Sequence, residues 1–290
     1  MKIFYGVQGT GNGHITRARA IAKKFKGKNV QVDWLFTGRP KDQFFEMDDF
    51  GDYQWRAGLT FATSHGNIQY IKTALRNNLI EFIRDIRGLD LSGYDLVVTD
   101  FEPVTAWAAK LQGIKTVGIG HQYAFGHQIP IAGNDALGLM ILKYFAPATV
   151  GLGVHWHHFN GPILPPIIET KAPDSGHKPG KIIVYLPFED VQVVIDLLKP
   201  YTAFEFHVYN PGGATPTGGD SAHIEVKGLS RQGFQKDFAD CSGVITNAGF
   251  ELPSESLHMG KKLLVKPLHG QVEQLCNALA LDELGLADVM

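Results

Sequence analysis

The sequence predicts an α/β protein of two Rossmann-like, doubly wound domains facing a cleft. Short apolar runs alternate with amphipathic stretches from one end of the chain to the other, and the alternation falls into two series. Between the series, residues 161–180 hold five prolines and three glycines with almost no periodicity, the mark of a linker. At 290 residues the chain also exceeds one typical domain. An N-terminal domain over residues 1–160, a linker over 161–180 and a C-terminal domain over 181–290 are therefore expected.

In the first series, strands are expected at residues 3–7, 30–36, 94–99 and 115–119. The first helix, 14–25, sets Ile15, Ala18, Ala22 and Phe25 on one face. Another spans 103–111 and opens on a proline. Strands that alternate with helices pair in parallel, and both faces of their sheet are covered. The apolar stretch 136–154 is broken by Lys143 and Pro147, too early for a membrane span, and reads as core helix and strand, with 148–152 the last strand of the domain. The second series has strands at 181–186, 204–209, 223–226, 243–246 and 263–266, and helices at 189–199, 231–239, 250–259 and 271–284. Residues 211–219, PGGATPTGG, form a surface loop. In such sheets ligands sit at the carboxyl ends of the strands.

Hydrophobic residues make up 44% of the chain, enough for sizeable cores. The net charge of −2 offers no broad attraction to nucleic acid or anionic lipid, which argues against a nucleic-acid partner. Cys241 and Cys276 cannot build a disulfide framework and read as small buried residues in a reducing compartment. The N-terminus turns glycine-rich before an apolar stretch of signal length can form, so a cytoplasmic location is expected.

Chemistry-bearing residues gather at strand ends. The first strand runs into GVQGTGNGH, whose glycines allow a tight turn and a close backbone approach to a ligand. A dinucleotide fingerprint would need a glycine where His14 stands, and the acidic residue expected downstream, Asp33, falls in mid-strand. His14, at a helix start, is placed to take a proton, or simply packs there. Asp100, at the end of strand 94–99, lies on the same carboxyl edge. It would fix the tautomer of His14 and stabilise its imidazolium, or cap the helix beginning near Pro103. In the second series, strand 243–246 runs into NAGFELPSE, where small residues leave amides at a helix start that suits a diphosphate. Glu255 there suits a ribose diol, and Glu273 and Gln274, after the next strand, suit sugar hydroxyls.

The stretches GTGNGHITRARAIA, VVTDFEPVTAWAAKLQGIKTVGIGHQ and ITNAGFELPSESLHMGKKLLVKPLHGQVEQLCNA resemble the GT-B-fold glycosyltransferases. They are close to the bacterial peptidoglycan N-acetylglucosaminyltransferase, of glycosyltransferase family 28 type, and its relatives. The resemblance spans both domains, in the expected order. It implies a transferase that moves a sugar, such as N-acetylglucosamine, from a nucleotide diphosphate donor, UDP-linked, onto an acceptor hydroxyl with inversion. His14 would be the general base and Asp100 its partner. Asn247, Ala248, Gly249 and Phe250 would hold the diphosphate, Glu255 the ribose, Glu273 and Gln274 the sugar, and Leu229 and Ser230 the base, with Gly13 a further donor contact. Gly11, Asn12, His121 and Gln122 fall on the acceptor side, facing a carbohydrate or lipid-linked acceptor.

Asn247 stands where some relatives carry histidine or arginine, and relatives usually continue past the position of Met290 into a helix that crosses back, so that closing helix is expected to be missing. Two aspartates never stand two positions apart, the spacing that would hold a divalent ion, so transfer is expected to need no metal and no other cofactor, with the helix start near Phe250 carrying the leaving charge and Arg231 assisting. The group His155-Trp156-His157-His158 lacks a cysteine or carboxylate at ligand spacing and reads as surface histidines. On this reading the apolar stretch 136–154 has a second interpretation, a lip touching a lipid-linked acceptor at the inner face of the membrane. Competing readings are a sugar-nucleotide epimerase, which needs a further carboxylate for which Glu102 is the candidate, a non-catalytic nucleotide-sugar sensor, and an NAD-dependent oxidoreductase.

Overall fold

The computed structural model describes residues 1–60, 78–133, 135–169, 177–215 and 218–290, and the backbone of two short strands at 63–64 and 67–68. The expected linker 161–180 and loop 211–219 thus lie partly outside the described residues, at 170–176 and 216–217. By contact the chain divides into two units: Met1–Ala62, Gln69–Ile129 and Gly133–Glu169 form one, and Thr170–Met290, with Thr63–Ile68 and Pro130–Ala132, the other.

The first unit is built from β1 (Lys2–Gln8), α1 (Asn12–Phe25), β2 (Gln31–Thr37) and β3 (Gln54–Trp55). After a two-stranded antiparallel ladder, β4 (Thr63–Ser64) and β5 (Asn67–Ile68), come α2 (Leu79–Gly88), β6 (Leu96–Asp100), α3 (Pro103–Leu111), β7 (Thr116–Gly120), α4 (Ala136–Tyr144) and β8 (Val150–Gly153). The second holds β9 (Lys181–Tyr185), α5 (Val191–Leu198), β10 (Glu205–Asn210), β11 (Ile224–Gly228), α6 (Arg231–Asp240) and β12 (Gly243–Asn247). It ends with α7 (Glu251–His258), β13 (Lys262–Lys266), α8 (Val272–Glu283) and β14 (Asp288–Val289).

Each unit carries one six-stranded parallel sheet, ordered β3-β2-β1-β6-β7-β8 and β11-β10-β9-β12-β13-β14. Counted within each unit, this is the doubly wound order 3-2-1-4-5-6. The winding reverses between β1 and β6, and again between β9 and β12. Those are the two places where a crevice opens at the carboxyl edge.

Strand alternation explains the layers. Ile3, Tyr5 and Val7 of β1, with Trp34 and Phe36 of β2, pack on the α1 side against Ile15, Ala18 and Ala22. Phe4 and Leu35 point the other way, into a cluster with Val97, Val104 and Ala108. Both faces are buried, as parallel sheets require. In the second unit Val184, Phe206, Val208, Ile224 and Val226 pack on Val194, Ile195 and Leu198 of α5. Both cysteines are buried.

Two expectations are corrected. The helical part of the apolar stretch is not core: Leu137, Met140 and Tyr144 of α4 are each about half exposed, and Gly138 is its buried residue. The nine residues ALGLMILKY are apolar nearly all round, while one side alone can pack, through Leu142, on Phe101, Ala106 and Ala146. The histidine group is not uniformly at the surface either, because His155 is 2% exposed. Among the described residues, none of the helices is long and apolar enough to cross a membrane.

Candidate functional site

At the reversal point of the first sheet, α1 begins two residues before the expected start, with Gly11 in its cap position. His14 and Arg17, three residues apart, fall on one side of the helix. Both reach Asp100, the last residue of β6. His14 Nδ1 lies 2.7 Å from Asp100 Oδ1. Arg17 donates Nε–H to Oδ2 at 2.8 Å and Nη2–H to Oδ1 at 2.5 Å, a two-pronged grip on the same carboxylate. Arg17 Nη2 is also 2.9 Å from His14 Nδ1. An ionised carboxylate only accepts, so the proton of neutral His14 belongs on Nδ1 and the lone pair on Nε2. The His14 side chain is 15% exposed, whereas those of Arg17 and Asp100 are sealed.

Complete burial would push the Asp100 carboxyl up; the Arg17 guanidinium and then His14 reverse this and hold it below the ordinary carboxylate range. The turn after Asp100 is strained. Phe101 has φ 52°, a left-handed backbone that a bulky residue adopts at a cost of roughly 1–3 kcal/mol. Its ring lies nearly parallel to that of His14, 8° between planes with centroids 6.4 Å apart. Gly120, ending β7 at φ 150°, closes the cluster from the third side, where a Cβ would stand 3.2 Å from Arg17 Nη2 and 3.4 Å from Asp100 Oδ1.

Asp100 does not cap α3. Glu102 does, accepting from Val104 N–H at 2.8 Å and Thr105 N–H at 2.6 Å, with Thr37 Oγ1 donating to it at 2.9 Å. The signal was present in the sequence, since Pro103 at the first helical position makes the residue before it the cap. Burial pushes the Glu102 carboxyl up, against these bonds. His121 is 1% exposed with Nδ1 3.0 Å from the Val154 carbonyl, and Gln122 is buried beside it. The His121 ring lies 5.0 Å from that of His155, whose imidazole burial, with His121 and His157 nearby, pushes down to about 3. Among the described residues no three His, Cys, Asp or Glu side chains gather at metal-binding spacing.

At the second reversal point Asn247 ends β12. Its Nδ2 donates to the Lys266 carbonyl at 3.1 Å, and its Oδ1 is buried without a partner. Ala248 is fully buried, and the buried Asn277 holds its carbonyl at 2.9 Å. Gly249 N–H turns back onto Asn247 O at 2.8 Å, and Phe250 stands at the cap of α7. Glu255 and Glu273 are half-buried on α7 and α8. Gln274 is 6% exposed, and its Oε1 accepts from Leu268 N–H at 3.0 Å, so its carbonyl holds the loop before α8. Leu229 is exposed, and Ser230 caps α6 by accepting from Gly233 N–H at 3.1 Å. Gly11, Asn12 and Gly13 line the start of α1 in the first unit. Gly13, taken from the sequence as a donor contact, thus lies in a different unit from the other donor-side residues.

Arg17, Asn277 and the cap role of Glu102 were not foreseen. Arg17 had a legible signal, a basic residue one helical turn from His14 on its own face. Asn277 had none, because only the packing of α8 against the 248–250 turn reveals it.

Two doubly wound sheets with polar groups at both reversal points are the architecture of the GT-B fold, and the family match makes the protein a glycosyltransferase. The whole chain, residues 1–290, matches the model of glycosyl transferase family 1, and the protein belongs to that family. Solved structures of similar fold include MurG of Acinetobacter baumannii, 17% identical over all of this chain and 85% of that one, with a TM-score of 0.59. The glycosyltransferase SsfS6 of Streptomyces sp. SF2575, complexed with thymidine diphosphate, is 12% identical over 100% of this chain and 87% of its own, at 0.61. UGT2 of Phytolacca americana, complexed with UDP-2-fluoro-glucose and pterostilbene, is 13% identical over 99% and 85%, at 0.63. No curated protein matches the chain.

Proposed function

We propose that this glycosyltransferase moves a sugar, N-acetylglucosamine being the candidate, from a UDP-linked donor to an acceptor hydroxyl with inversion and without a metal ion. The observation that carries the reading is the 2.7 Å contact of His14 Nδ1 with buried Asp100, which leaves Nε2 of a partly exposed ring to take a proton. The acceptor O–H gives its proton to Nε2, and its oxygen bonds to the anomeric carbon. The bond from that carbon to the diphosphate breaks on the opposite face, its electron pair leaving with the nucleotide. Asn247 to Phe250, Glu255, Glu273, Gln274 and the backbone of Leu229 and Ser230 serve the donor. Gly11, Asn12, His121 and Gln122 serve a carbohydrate or lipid-linked acceptor. The half-exposed apolar residues of α4 suit contact with the inner face of a membrane by a cytoplasmic enzyme. The MurG, thymidine diphosphate and UDP-sugar structures of the same fold support this reading.

The epimerase alternative loses its candidate acid, because Glu102 has both carboxylate oxygens occupied as a buried cap. The test is a thermal-shift panel of UDP-, GDP-, dTDP- and CDP-sugars. A donor at 100 times its dissociation constant stabilises by about 2.7 kcal/mol. His14→Ala should keep that shift and lower transfer by about 10²- to 10⁴-fold. A protein that shifts with no nucleotide sugar, or transfers as well without the imidazole, would overturn the reading.

A further inference from the structure

At the carboxyl edge of the second sheet an ion pair crosses the end of a strand. Lys266 closes β13, and its ammonium lies 2.6 Å from Oε1 of Glu189, in the turn after β9. β12 runs between those two strands, and its last residue, Asn247, pairs in register with Lys266. The pair therefore passes over the carboxyl end of β12, where the chain turns through Ala248 and Gly249 into α7. The side chains are 37% and 17% exposed, so this is not a sealed structural bridge. Beneath it, Asn247 gives one of its two amide N–H groups to the Lys266 carbonyl, and its Oδ1 is buried without a partner.

We propose that Glu189 holds the place of the donor diphosphate, and that Lys266 exchanges this carboxylate for phosphate oxygens when donor binds. The inference rests on reading this edge as the donor site. One ammonium can serve a carboxylate or a phosphate, and a partly exposed pair is released at little cost. The phosphate brings more charge, and the start of α7 beside it favours an anion. Asn247 has one amide N–H left and no charge of its own to set against a phosphate. The cation missing from position 247 is thus supplied from the neighbouring strand, and Glu189 keeps it aimed across β12 until the donor arrives. A donor that reaches the site displaces the carboxylate, so Glu189 competes with it.

Calorimetry on the intact chain tests this with UDP, GDP, dTDP and CDP, each against its nucleoside. Lys266→Met should weaken the diphosphate that the unmodified chain prefers by about 10- to 100-fold. It should leave the matching nucleoside unchanged. Glu189→Gln should tighten the diphosphate by up to about fivefold, a gain that a merely structural pair would not give. Lys266→Arg keeps the charge and should bind nearly as the unmodified chain does, which guards against a misfolded methionine variant. If Glu189→Gln binds the diphosphate no tighter, the exchange is wrong, even where the unmodified chain still prefers diphosphate to nucleoside and the donor reading stands. If the unmodified chain binds none of the four diphosphates, the donor reading falls and takes the exchange with it.

Discussion

Asp100 answers to two side chains at once, and they do different things. His14 uses it for orientation; Arg17 balances its charge where no water can. Removing Arg17 therefore leaves an uncompensated buried carboxylate, a class of change that costs about 3–5 kcal/mol. Arg17→Met should lower the urea-unfolding free energy by that amount, and the double variant Arg17→Met/Asp100→Leu should cost less than the sum of the two single changes. Additive costs would show that the two residues are not coupled. His14 and Asp100 were legible in the sequence because each flanks a strand-to-helix turn on the same sheet edge. Their separation, the grip of Arg17 and the strained φ of Phe101 were not, since each depends on β1, β6 and β7 being packed side by side.

Elements hold together in the second unit through one carboxylate. Asp237 of α6 accepts from Lys181 on β9 at 2.9 Å, Tyr209 on β10 at 2.7 Å and Lys227 on β11 at 2.8 Å. His207 lies 3.0 Å away on the same side. Burial works to raise this carboxyl, but Lys227, Tyr209, Lys181 and His207 outweigh it and hold it far below the ordinary range. A folded value below the unfolded one, about 3.9, gives stability that is full above that pH and lost as acid protonates the group. Denaturant midpoints should accordingly fall as pH drops from 5 towards 3, and fall less steeply in Asp237→Asn. Equal slopes in the two proteins would remove Asp237 from the acid response. The sequence placed helix 231–239 and the strands within two residues, because their apolar periods are strong. It missed α2 and the two-residue strands β3, β4, β5 and β14, the strands being too short for a period to register. It also read α4 as core, because apolar content says what a helix prefers and not which side has a partner.

At the scale of the molecule, the 3-2-1-4-5-6 order repeats in both units and puts a reversal point under each cluster of polar residues. That is why so much of the site could be read from strand ends alone: in this topology the carboxyl edge next to the first strand is where ligands meet the backbone. The candidate residues were legible as residue types at those ends. The cross-strand pairing of Glu189 with Lys266 was not, because it joins a turn to a strand end 77 residues away in the chain.

The two buried thiols have a practical consequence. Cys241 and Cys276 both belong to the second unit, are 0% and 1% exposed, and are pushed to higher pKa by burial, so they resist labelling while that unit is closed. The first unit has no cysteine to compete. A disulfide-exchange reagent thus becomes a clock for opening of one half of the chain. With a bound nucleotide sugar at 100 times its dissociation constant, that clock should slow by about 100-fold.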